Sequence, residues 1–438
     1  MLHHKERKMI TARERPVSSQ LVAQTTIPRF FKVCQNFTRN SLNPREIPSM
    51  VHQVIAREGI GSRIHPGMTI AITVGSRGID NLPLIVKSIV EEVADRGAFP
   101  FIVPAMGSHG SATAEGQREL IEGYGVTEEF VGCPIRSSIE VVCIGETEDG
   151  RKAYIDKHAF SADGIILFNR IKPHTAFRGS YESGIMKMMA IGLGNQQGAE
   201  ACHEMGFRIL GQNVELFGRA ILRNAQILFA MPVIENAFDE TQRILAIGAE
   251  SITEEEPKLL REAYSLMPQL HEKSCDVLIV DTIGKNFSGD GMDPNITGTF
   301  STPYAGGGIS AQRVCVLDIS DETHGNGVGI GMADVTTQRA VGKLDLDSMY
   351  SNVITSTVLG GVRIPLTMES DKEAIQVCIQ TCTEIDKKKA RIIRIPNSMN
   401  INRIMMSEVY YDEVKSNPYY TVESEPEFLE FDVEGNLC

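Results

Sequence analysis

The chain has 438 residues, of which 42% are hydrophobic and 23% charged, with a net charge of −13 and nine cysteines. That length supplies roughly two or three domains with a real core, and the acidic balance argues against nucleic acid, whose phosphates are neutralised by clustered Lys and Arg. The cysteines form no CxxC pair and fit reduced thiols in a cytoplasmic protein better than a disulfide frame, while no apolar run approaches the ~20 residues of a bilayer crossing.

Residues 1–44 open on the basic "MLHHKERKMITARERPVSSQ", which lacks the apolar segment of a secretory signal and reads as a flexible extension. From "MTIAITV" (68–74) the chain alternates apolar strand-like runs with helical ones, the pattern of βα units and mainly parallel sheets. In "LPLIVKSIVEEVADRG", Leu82, Ile85, Val86, Ile89, Val90 and Val93 share one face only in a helix, which Asn81 can cap and Gly97 stops. "PFIVPA" is the next strand. "MGSHGSAT" then leads into the helix "AEGQRELIEGYG", and "ADGIILFNR" (162–170) is a further strand. The loops after these strands leave the sheet edge on which open α/β proteins hold ligands. "NAQILFAMPVI" and "RILAIGAES" read as a strand pair, followed by a long helix through "EEEPKLLREAYSLMPQLHEK".

A fresh strand at "CDVLIVD" (275–281) places a domain boundary near 265–275. The reading is an N-terminal α/β domain over 45–270, a C-terminal α/β domain over 271–410 and an acidic, solvated tail over 411–438. A ligand cleft between the two domains is expected. From 407 onward nine acids stand against one lysine.

The P-loop, HExxH, GxSxG and EF-hand patterns do not occur. "GSHG" sets His109 between small residues at a strand end, and "KPHT" sets His174 on the next strand-end loop. An imidazole there suits proton transfer at neutral pH, although a loop histidine alone is more often a surface or turn residue. Lys187 lies in "SGIMKMMAIGLG", between Ile185, Met186, Met188, Met189 and Ile191. An ammonium in such surroundings either snorkels to water or is chemically used. His203 follows sixteen positions later and could offer its imidazole to a metal such as nickel or zinc.

Together "GSHG", "FNRIKPHT", "SGIMKMMAIGLG" and His203 resemble the nickel-dependent lactate racemase family of 2-hydroxyacid racemases and epimerases, within a βα frame covering roughly 45–400. The resemblance implies an isomerase that moves hydride reversibly between C2 of a 2-hydroxy acid and a nickel-pincer nucleotide. It implies Lys187 as the covalent tether, His203 as the nickel ligand, and His109 and His174 as paired acid/base groups. Arg77, in "GSRGIDN", would hold the substrate carboxylate or a cofactor phosphate, and Lys285 of "TIGKNFSG" would complete that clamp from the second domain. Enzymes that make the cofactor would be partners, and a homo-oligomer is compatible with the sequence. The loop "TVGSRGID" lacks the early aspartate and the proline of lactate racemases, so the resemblance does not fix which hydroxy acid is used. Two other readings are open: a zinc hydrolase with His109, His174 and His203 as ligands, and a non-catalytic protein that binds a carboxylate or nucleotide through Arg77 and the Gly-rich loops.

Overall fold

The computed structural model describes residues 16–438. They divide into two compact units, one formed by residues 38–267 and the other by the two ends of the chain, up to 37 and from 268.

The 38–267 unit is built on a sheet in the order Phe99–Pro104 (β2), Thr69–Val74 (β1), Gly164–Arg170 (β3), Ile227–Glu235 (β4) and Thr241–Ile244 (β5). The first four strands are parallel, and β5 runs antiparallel to β4. The central parallel strands β1, β3 and β4 are mainly apolar because both sheet faces are covered. Ala71, Ile165 and Leu167 enter one core with the helices Leu210–Asn224 (α4) and Ile252–Leu266 (α5). Ile70, Ile72, Val74, Ile166 and Phe168 point the other way, onto Leu82–Asp95 (α1). Period-two alternation thus feeds two cores from one sheet. The register pairs Val74 with Pro104 and Ile72 with Ile166, so the loops that follow β1, β2 and β3 leave the same edge. Ala114–Gly123 (α2) follows the β2 loop and Asn195–His203 (α3) the segment after β3. The predicted long helix ends earlier than the sequence pattern suggests, at Leu266, because Met267 precedes Pro268 and is driven to extended backbone.

In the other unit five parallel strands, Leu366–Met368, Val335–Thr337, Ser310–Ile319, Ser274–Ile283 and Ile392–Ile395, are extended by three antiparallel ones, Arg403–Ser407, Phe30–Gln35 and Tyr420–Val422. Both chain ends therefore differ from the sequence reading. The supposed extension supplies a strand whose Phe30 pairs with Ser407, while its first fifteen residues lie outside those described. The acidic end is built in as well. Glu427 exchanges two backbone hydrogen bonds with Phe30, the Leu437 N–H donates to Asp371, and Leu429, Phe431 and Leu437 pack on the core. A few apolar anchors and ladder bonds outweigh the repulsion among its exposed acids. Among the described residues no helix is long and apolar enough to cross a membrane.

Candidate active site

The β2 loop carries His109. Its two flanking glycines answer to geometry, since Gly107 and Gly110 have φ of +62° and +64° and pack against neighbouring backbone. His109 Nδ1 lies 2.8 Å from the Met106 carbonyl. A carbonyl only accepts, so Nδ1 holds the proton and Nε2 keeps a lone pair. Surrounding protein lowers the pKa of His109. The Met106 bond opposes that shift, and the Arg77 and Lys187 charges add to it. The ring is nevertheless exposed at its surface, so water tempers the effect.

His174, on the loop after β3, is wired the opposite way. The Ala176 N–H donates to Nδ1 at 3.0 Å, which places the proton of the neutral ring on Nε2. Its main chain is clamped on both sides: the N–H donates to Glu182 at 2.7 Å, and Arg178 donates to the carbonyl at 2.5 Å. Burial first, then Lys187, His203, Arg178 and Arg77, push its pKa well below the ordinary value.

Lys187 closes the short helix Ile185–Lys187, which widens into a π turn over Met188–Gly192. It is half-buried, whereas Met186, Met188 and Met189 are fully buried. The turn packs against the β2 loop and the end of β1, with the Gly107 N–H donating to Gly192 O at 3.0 Å and Thr73 Oγ1 donating to the Met188 sulfur at 2.9 Å.

His203 ends α3, half-buried, with Nδ1 donating to Ala199 O at 2.7 Å, so that Nε2 again holds a lone pair. Burial lowers its pKa, the Ala199 bond opposes this, and Lys187 adds to the lowering. The carbonyl of Cys202 is held by Asn213 Nδ2 at 2.7 Å, and Asn213 is held by Arg151 at 2.8 Å.

The Lys187 charge acts on all three imidazoles and that of exposed Arg77 on His109 and His174, so these five residues share one positive electrostatic neighbourhood in an acidic chain. Lys285 belongs to the other unit, where its ammonium donates to Gly289 O at 2.6 Å and its N–H to Thr323 Oγ1 at 3.1 Å. The sequence reading passed over Arg178, Glu182, Asn213 and Arg151; of these, Arg178 and Glu182 lie a few residues past "KPHT", and their opposite charges four positions apart beside that loop are the signal that could have found them. Among the described residues no three His, Cys, Asp or Glu side chains gather as a metal-holding group. The three-histidine zinc site of the hydrolase reading is therefore not formed.

The fold is that of an α/β protein whose loops at the carboxyl edge of a parallel sheet lead into the segments carrying this cluster. Residues 34–213 match the model of the lactate racemase N-terminal domain. Through that segment, which is under half of the chain, the protein is similar to the lactate racemase family. No curated protein matches the chain in sequence. Similar solved structures include the lactate racemase apoprotein from Thermoanaerobacterium thermosaccharolyticum, at 14% identity over 85% of this chain and 99% of that one with a TM-score of 0.49. Another is a structural-genomics protein from Thermotoga maritima, at 12% identity over 64% of this chain and 72% of that one with a TM-score of 0.45.

Proposed function

We propose that this protein racemises or epimerises a 2-hydroxy acid with a nickel-pincer nucleotide tethered to Lys187. One observation carries the reading: a lysine on a methionine-lined turn shares its electrostatic surroundings with three imidazoles whose protons are fixed in two opposite arrangements.

The donor set suits such a group. His203 would hold the nickel, since its Nε2 carries a lone pair kept in place by the Ala199 bond. An amide-type link at Lys187 would remove an ammonium from apolar surroundings, and the positive field suits a nucleotide phosphate. When bound, the group supplies a reversible acceptor for the hydride on C2.

The residues of the chain do the rest. Arg77 binds the substrate carboxylate as a fork. His109 Nε2 takes the hydroxyl proton and returns it. His174 presents Nε2–H as a hydrogen-bond donor to the same oxygen. To act as a full acid it would have to gain a second proton and break the Ala176 bond, which its burial and the surrounding cations oppose. The two histidines thus divide the work unevenly.

The test is a chiral assay of a panel of 2-hydroxy acids in deuterium oxide, using protein co-expressed with the cofactor-making enzymes. Direct hydride return inverts C2 without deuterium appearing there. Deuterium at C2, or release of free keto acid, contradicts the proposal.

A further inference from the structure

Helix α5 lies beyond the matched segment 34–213, yet it reaches two parts of the site. Glu256, 1% exposed, accepts the Met186 N–H at 2.9 Å and also that of Ile185. These N–H groups open the turn that carries Lys187, and that turn has no side-chain cap of its own, since it begins at Gly184. Gly184 follows from the same contact, because a Cβ there would collide with Glu256 Oε1. Asn169, at the end of β3, fixes the Gly184 carbonyl from the other side at 2.9 Å.

One residue along, Pro257 has no N–H to give to the Thr253 carbonyl. The Tyr181 hydroxyl takes that carbonyl instead, at 2.8 Å. Two turns further, the Tyr264 hydroxyl lies 3.1 Å from each oxygen of Glu182, the buried carboxylate that receives the His174 N–H. A helix interrupted by proline thus fastens the 181–187 segment at three points.

We propose that α5 is the positioning element of this site: Glu256 sets the turn that carries Lys187, and Tyr264, acting through Glu182, sets the loop that carries His174. Their importance to activity rests on the functional reading of those two residues. Their physical effect does not. Reactive groups displaced by about 1 Å lose roughly a hundredfold in rate, so fixing both segments from one rigid helix matters to any chemistry done there.

The test uses the full-length apoprotein, with backbone hydrogen exchange over residues 184–187 and 172–176 and the rate of Lys187 acetylation by acetic anhydride read by peptide mass spectrometry. Glu256→Leu should speed exchange over 184–187 by roughly tenfold and change the Lys187 acetylation rate, leaving 172–176 as in the wild type. Tyr264→Phe should do the reverse. Glu256→Gln retains an acceptor oxygen and should restore most of the wild-type pattern. If Glu256→Leu fails to fold while Glu256→Gln folds with wild-type exchange, Tyr264→Phe decides, since it must still speed exchange over 172–176 alone. Wild-type exchange in folded Glu256→Leu or in Tyr264→Phe, or a uniform rise across the chain, overturns the proposal. Failure of the wild type to acquire a Lys187 adduct removes the functional reading alone, because the exchange pattern is read without cofactor.

Discussion

Substituting Gly110 by alanine tests whether the "GSHG" loop is dictated by geometry. The added Cβ would lie 2.6 Å from Gly116 C and Gln117 N and 2.7 Å from Gly116 O, all of them backbone atoms of α2 that cannot rotate aside. The residue would also have to hold φ at +64°. Left-handed backbone costs a non-glycine ~1–2 kcal/mol and overpacking ~1–3 kcal/mol, so Gly110→Ala should destabilise by ~2–5 kcal/mol, unless the loop swings out and carries His109 with it. Urea unfolding followed by far-ultraviolet circular dichroism measures the first outcome, and turnover measures the second. Gly123→Ala is the control: nothing lies within 4 Å of its Cβ and its φ is not left-handed, so it should be neutral or stabilising by up to ~1 kcal/mol. A Gly110→Ala protein with both the wild-type midpoint and wild-type turnover would refute the reasoning.

Three further outcomes follow from the proton arrangements and from burial. His174→Gln, which offers an amide N–H in place of Nε2–H, should keep measurable turnover, whereas His109→Gln should lose it because no base remains; equal losses would show that the histidines are equivalent. Both histidines have lowered pKa values. The unfolded chain therefore takes up protons below about pH 6.5 before the folded one does, so stability should fall as pH drops through that range, and the acid limb of the turnover profile should lie below 6.5. Glu256 behaves in the opposite sense, with burial pushing its pKa up to about 8. Its contribution is full below the ordinary carboxylate range and is lost as pH rises towards 8. Glu256→Gln should accordingly flatten the urea midpoint between pH 5 and pH 8, and an unchanged slope would contradict a buried titrating carboxyl.

Much of the 38–267 unit was legible because local pattern and tertiary environment agree there. β1 and β3 are mainly apolar, α1 shows a clean 3.6 period, and loops at parallel-strand ends share an edge by topology. What escaped was non-local. "FFKVCQ" reads as part of an extension until it meets Arg403–Ser407, hundreds of residues later. Glu256 sits in "TEEEPK", which any charge count assigns to solvent, yet one of its acids turns inward because two backbone N–H groups await it. The tautomers of His109, His174 and His203 were equally hidden, being set by Met106, Ala176 and Ala199 through backbone geometry that side-chain types do not encode.

Peptide mass spectrometry of residues 184–194, on protein co-expressed with the cofactor-making enzymes and shown to invert a 2-hydroxy acid, is the most direct measurement of the central claim. The account predicts a covalent adduct on Lys187 that disappears together with activity in Lys187→Ala. Racemising protein whose Lys187 is unmodified would contradict it.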